Sequence, residues 1–228
     1  MIKRSKQKKI TLTCGKIKLV SYRLYFRKSS FKKDIKNGNL LLELIKDYKP
    51  KSFLEIGVLE GATSRNVCEL LNKINQKKFN YTGIDLFGLD EIKNNLKEFT
   101  PVSNKHLNPL KYIYFNYILK LNPNNIKAVE FLLKKFNKSI NLYKGYSKDI
   151  LESINLSNID FVFLDGGHSF NTVSKDLEIL LKKLKNNSII ICDDYNITHY
   201  GVKEAVDEIK NKHFFKDLGR FALIKVIK

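Results

Sequence analysis

"FVFLDGGH", residues 161 to 168, opens with four apolar residues and stops at a carboxylate, two glycines and an imidazole; "IIICDDY", residues 189 to 195, repeats the arrangement with two carboxylates. A short run of β-branched and aromatic residues, apolar on both faces, suits a parallel strand buried on both sides. Its polar end then falls where the chain leaves the sheet. Between the two runs, Val173, Leu177, Leu180, Leu181 and Leu184 share one face of a helix expected from Ser169 to Lys185,. Strand, helix and strand in that order make a βαβ unit, the building block of a mostly parallel α/β sheet.

The same alternation extends to either side. Strands are expected at 52–58, 80–87, 139–146, 159–166 and 188–195, with a helix after the first running to about Lys77,. The C-terminus differs: "HFFKDLG" and "RFALIKVI" lie back to back around Gly219 after the helix "GVKEAVDEIKNK". They are too close for a helical crossover, so an antiparallel hairpin is expected. Residues 88–122, with Pro101, Pro109, Tyr112, Tyr114, Phe115 and Tyr117, are longer than an ordinary connection and read as an insertion,. The expected division is a basic N-terminal segment, 1–34, and one domain, 35–228, carrying that insertion.

The 228 residues suffice for one large domain, and apolar runs such as Phe161 to Leu164 are only four residues, far short of a bilayer span,. No membrane insertion is expected. Lys16 and Lys18 interrupt the stretch where a secretory apolar region would lie, so no leader is expected either,. Cys14, Cys68 and Cys192 form no CxxC pair, which argues against a disulfide framework or thiolate zinc site and fits a cytoplasmic setting,. The net charge of +19 is mostly Lys spread from end to end, which argues solubility and non-specific association rather than a function,. One concentrated basic run, residues 3–33, interleaves Lys and Arg with Tyr22, Tyr25, Phe26 and Phe31.

Open α/β sheets bind ligands beyond the carboxyl ends of their strands. Glu55, Gly57 and Gly61 follow the first expected strand, where glycines let a ligand approach backbone amides at a helix N-terminus. Asp85 closes the second and is placed to accept both hydroxyls of a ribose. "GVLEGA" has Leu59 where a dinucleotide site needs its second glycine, and Glu60 adds negative charge where phosphates would be repelled,. A cationic nucleoside such as S-adenosylmethionine suits these residues better. His199 and Tyr200 are candidates for an acceptor pocket; His106 and His213 carry no argument.

"FLEIGVLEGATS", "YTGIDLF", "YKGYSKDIL", "IDFVFLDGGHSFNTVSKDLEIL", "IIICDDYN" and "GVKEAVDEI" together resemble a class I S-adenosylmethionine-dependent methyltransferase. The branch resembled includes antibiotic-sugar and rhamnosyl O-methyltransferases and cephalosporin-hydroxylase-like proteins. The resemblance implies a Rossmann-like sheet of seven strands in the order 3-2-1-4-5-7-6, with strand 7 antiparallel and helices on both faces. Asn186-Asn187 departs from the family's usual Pro-Gly-Gly, but Asn tolerates the left-handed backbone of a turn. Cofactor contacts are implied for Glu55, Gly57, Gly61, Asp85, Ser147 and Asp165.

In that order strands four and five are neighbours, so Asp165, Asp193 and Asp194 converge. Three carboxylates repel one another unless a cation lies between them, and oxygen ligands suit Mg²⁺ or a similar divalent ion. His168 is then placed as general base, with Asp165 beside it, for methyl transfer to a hydroxyl of a sugar, glycan or other small polyhydroxylated acceptor. Two rivals share the cofactor site: an RNA methyltransferase docking through residues 3–33, and a non-catalytic nucleoside-binding protein. Self-association is left open.

Overall fold

The computed structural model describes residues 26–32, 34–88, 108–196 and 200–228. The basic segment before Phe26, the insertion from 89 to 107 and His199 lie outside the described residues, as do Cys14 and His106. Seven strands form one sheet: β1 (Ser52–Ile56), β2 (Asn80–Asp85), β3 (Ile140–Lys144), β4 (Phe161–Leu164), β5 (Ile189–Cys192), β6 (Phe214–Asp217) and β7 (Ala222–Lys225). Their order is β3-β2-β1-β4-β5-β7-β6. The first five pair in parallel, and β7 runs antiparallel to both β5 and β6. This is the strand order, with the antiparallel seventh strand, that the resemblance implied.

Every residue of β1, β4 and β5 is buried, because helices cover both faces. Phe161, Phe163, Ile189 and Ile191 face one core with α1 (Ile35–Tyr48), α2 (Ala62–Ile74) and α4 (Ile126–Leu133). Val162, Leu164, Ile190 and Cys192 face the other with α5 (Ser147–Ser153), α6 (Phe170–Lys183) and α7 (Tyr200–Ile209). A one-residue slip of β4 would exchange these faces and draw Asp165 into the sheet. Register is therefore fixed by side chains worth about 1.5–3 kcal/mol each on burial. On α6, Val173, Leu177 and Leu180 are buried as the periodicity requires, as is Leu184 at its C-cap, with Leu181 partly so, and Ser169 caps its N-terminus by accepting from the Thr172 amide. Asn187 adopts φ +68 in the turn that replaces Pro-Gly-Gly.

One boundary differs from expectation. The helix after β1 ends at Ile74 rather than Lys77, because Gln76 and Lys77 take positive φ and the Asn75 amide caps back to Leu71. Of the basic segment 1–34, residues 26–32 and 34 are described, and Phe26–Lys32 packs against the rest of the described chain. Phe31 is fully buried against Phe163 and Phe221, and Phe26 stacks on Tyr114 at 4.8 Å. The Arg27 guanidinium, 2% exposed, donates to the carbonyls of Glu60, Pro123 and Ala128. Of the insertion, α3 (Pro109–Ile113) and a π-helical turn (Tyr114–Ile118) are described, anchored through Tyr114 and Phe115. Among the described residues no helix is long and apolar enough to cross a membrane.

Candidate functional site

In the parallel ladder Leu164 lies opposite Cys192, so Asp165 and Asp193 leave the sheet side by side. Their amides continue the ladder, Asp165 to the Ile56 carbonyl at 2.8 Å and Asp193 to the Leu164 carbonyl at 2.9 Å. The two apolar runs stop at acids because the sheet ends there, and those acids form one wall of a cleft. The other wall is the loop between β1 and α2. Gly57, Leu59 and Gly61 have φ of +95, +53 and +74. A Cβ on Gly57 would lie 1.9 Å from the Asp165 carbonyl oxygen, so only glycine lets the two walls meet,. Gly61 heads α2 and abuts Val129 and Leu132 of α4.

Asp85 organises this wall. Its Oδ2 accepts the Leu59 amide at 2.8 Å and its Oδ1 the Phe87 amide at 2.7 Å, and both donors have positive φ. The left-handed backbone at Leu59 costs about 1–2 kcal/mol, which these charge-assisted bonds offset. Burial pushes the Asp85 carboxyl up from its ordinary range, and the loop amides oppose the shift.

Glu55 is not at the cleft. Strand alternation puts it on the same face as Phe53, where it is fully buried and accepts the Tyr81 hydroxyl at 2.5 Å. Burial raises its carboxyl from 4.5 to about 8, against the Tyr81 hydrogen bond and the nearby Ser64 hydroxyl. The folded state therefore holds a proton that the unfolded chain releases, and stability falls as pH rises through the window from about 4.5 to 8,. Glu55→Gln is expected to abolish that slope, gaining on the order of 2–4 kcal/mol relative to the parent across it. Denaturant unfolding of both proteins across that window measures the difference; parallel curves would mean that Glu55 is ionised in the fold.

Glu60, read as repelling phosphates, is also turned away. It is 3% exposed, accepts the Lys28 amide and pairs with Lys111 at 3.5 Å, so it ties the N-terminal residues and α3 to the loop. Ser147, at the first turn of α5, donates its hydroxyl to buried Asp176 at 2.8 Å. It follows Gly145, whose amide bonds the Asp85 carbonyl, so the loop after β3 flanks the same cleft.

On the acidic wall, His168 Nε2 lies 3.2 Å from Asp194 Oδ2. Asp194 has φ +58, a conformation Asp tolerates, and this turns its carboxylate toward the imidazole,. Ligand atoms of Asp165, His168 and Asp194 all lie within 4.8 Å of one another. Asp193 takes a different partner from the one the sequence suggested. It is 2% exposed and is held in a fork by Arg220, Nε to Oδ1 at 2.5 Å and Nη2 to Oδ2 at 2.6 Å. Of the expected metal trio, Asp165 and Asp194 converge with His168, while Asp193 faces Arg220. Burial, then the charges of Asp193 and Asp194, push the Asp165 carboxyl well above its usual range. Burial raises Asp193 as well, despite Arg220.

A cavity of about 10 Å³, the room one water or small ion takes, is lined by Leu164, Asp165, Gly166, His168, Asp193 and Val202,. The close approach of α7 to the His168–Phe170 backbone is possible because residue 201 is glycine; a Cβ there would meet Phe170 N at 2.5 Å. Tyr200 begins α7, and its side chain lies outside the description. Sequence reasoning missed Arg220 and Asp34, which meet at 3.3 Å behind the cluster. The available signal was an arginine directly after the hairpin glycine, Gly219.

A family model described as "Methyltransferase domain" matches residues 54–195. No curated protein sequence matches. Among solved structures, the S-adenosylhomocysteine-bound Podospora anserina methyltransferase PaMTH1 is similar with TM-score 0.59 at 14% identity, over 95% of this chain and 90% of that one. An O-methyltransferase from Bacillus cereus in complex with S-adenosylhomocysteine gives TM-score 0.58 at 14% identity, covering 87% and 84%. CalS11, the TDP-rhamnose 3'-O-methyltransferase of calicheamicin biosynthesis, gives 0.57 at 14%, covering 85% and 80%. At these identities the structural likeness is one of fold.

Proposed function

Because this chain belongs to the methyltransferase-domain family, we propose that it transfers a methyl group from S-adenosylmethionine to a hydroxyl of a sugar or other small polyhydroxylated acceptor, with help from a divalent cation. The observation that carries this reading is the meeting of Asp165, His168 and Asp194 opposite the Asp85-braced glycine loop. Nucleoside-binding and proton-handling groups thereby face one cleft.

S-adenosylmethionine supplies an electrophilic methyl on a sulfonium sulfur. Asp85 accepts the ribose hydroxyls while its amide partners hold the loop, which Gly57 and Gly61 let pack closely on the Asp165 backbone and on α4. On the opposite wall His168 takes the acceptor's proton. If Nε2–H donates to Asp194, the lone pair lies on Nδ1, and Asp194 stabilises the imidazolium that forms,. The acceptor oxygen then displaces the methyl from sulfur in line, and positioning supplies much of the acceleration.

The donor set fits a hard divalent cation. Among the described residues, four carboxylates, Asp34, Asp165, Asp193 and Asp194, lie around the guanidinium of Arg220. Asp165 and Asp194, with His168 near, would hold such an ion; when bound it would lower the pKa of an acceptor hydroxyl.

Incubation with methyl-labelled S-adenosylmethionine and a panel of nucleotide sugars, glycans and RNA tests this reading. Alkali-stable label on a small hydroxylated acceptor, lost in EDTA and restored by Mg²⁺, is the expected result. Label on RNA alone would overturn the acceptor class, and undiminished transfer in EDTA would remove the metal. Asp85→Ala is expected to weaken S-adenosylhomocysteine binding at least tenfold in calorimetry, about 1.4 kcal/mol, since ribose and loop contacts are lost together. Unchanged affinity would take Asp85 out of the site.

A further inference from the structure

Arg220 is fixed on every side. Its backbone carbonyl accepts the Tyr195 amide, its guanidinium lies over the Phe31 ring at 5.1 Å, and its side chain is 11% exposed. Both carboxylate oxygens of Asp193 are in its fork, Asp194 Oδ1 is 3.1 Å from Nη2, and Asp34 Oδ2 is 3.3 Å from Nη1. Asp34 is itself held as the N-cap of α1 by Asn37. A guanidinium stays charged at any working pH and matches a carboxylate in two parallel hydrogen bonds. Beside that fork, ligand atoms of Asp165, His168 and Asp194 lie within 4.8 Å of one another, and Asp165 and His168 line the cavity.

We propose that Arg220 is a resident cation occupying the inner half of the carboxylate cluster, so that Asp193 is its counter-ion rather than a metal ligand. Arg220 thereby limits the site to one divalent ion, held at Asp165 and Asp194, and sets how weakly that ion binds. This rests on the cation-assisted reading of the site. A fixed positive charge beside a dication repels it, and one oxygen of Asp194 is shared with the guanidinium. Removing the guanidinium relieves the repulsion and frees two carboxylates.

Mn²⁺ titration followed by electron paramagnetic resonance, with no cofactor or acceptor, tests this on the full chain. Arg220→Met is expected to bind Mn²⁺ at least tenfold tighter than the parent. The double variant Arg220→Met/Asp193→Asn removes one charge of each sign and is expected to bind within about threefold of the parent. It also serves where the single variant fails to fold, because the two most buried charges of the fork are removed together,. A tenfold loss in the double variant would make Asp193 a ligand and overturn the proposal, as would an Arg220→Met protein that folds and binds no tighter. Binding by Arg220→Met but not by the parent would support the role of Arg220 while overturning cation assistance in the natural protein.

Discussion

His168→Ala is expected to slow methyl transfer by on the order of 10² to 10⁴, the usual contribution of a positioned base, while S-adenosylhomocysteine affinity stays within a factor of two or three. The imidazole stands on the acidic wall, 3.2 Å from Asp194, and the nucleoside is assigned to the opposite wall around Asp85. A large loss in turnover with little change in binding is therefore the signature of a group acting on the acceptor's proton. A ring nitrogen of the same histidine lies within 4.8 Å of ligand oxygens of Asp165 and Asp194, so the Mn²⁺ affinity of the variant separates the two roles. A base leaves it nearly intact, and a ligand does not. A rate loss below tenfold would exclude both.

Gly57→Ala is expected to destabilise the fold by more than about 3 kcal/mol, because the added carbon would meet the Asp165 carbonyl at 1.9 Å, its carbon at 2.4 Å and the Gly166 amide at 2.9 Å,. All three are backbone atoms of the neighbouring strand end and have no rotamer by which to withdraw. Gly219→Ala is the control. Its φ is also positive, +83, but nothing lies within 4 Å of the added carbon. That variant should lose only the left-handed penalty of about 1–2 kcal/mol. Equal losses in denaturant unfolding would mean that backbone conformation, not the closeness of the two walls, constrains Gly57.

The sheet was legible because each central strand is apolar on both faces and each helix between strands repeats at helical spacing. Those patterns are local, and burial enforces them. The hairpin was legible from Gly219 and from chain length alone. Asp85 and Asp165 were visible because a polar residue ending an apolar run marks where a strand leaves the sheet. The direction of Glu55 was not weighed: it lies inside the strand, and alternation with Phe53 turns it into the core. Arg220 was hidden for a different reason. It meets Asp193 across 27 residues and Asp34 across 186, and such pairings depend on how β7 and α1 pack rather than on any local spacing. Three converging carboxylates do call for a cation, and part of the answer is a side chain of the protein itself. Phe26 and Arg27 were read with a charge run, yet their aromatic and hydrogen-bonding partners bury them.

A crystal structure of the S-adenosylhomocysteine complex tests the central claim most directly. The ribose hydroxyls should sit on Asp85, with the sulfur directed across the cleft toward Asp165, His168 and Asp194. A ribose bound away from Asp85, or a sulfur facing away from the acidic wall, would contradict the account, because the methyl group could not then reach an oxygen held at His168.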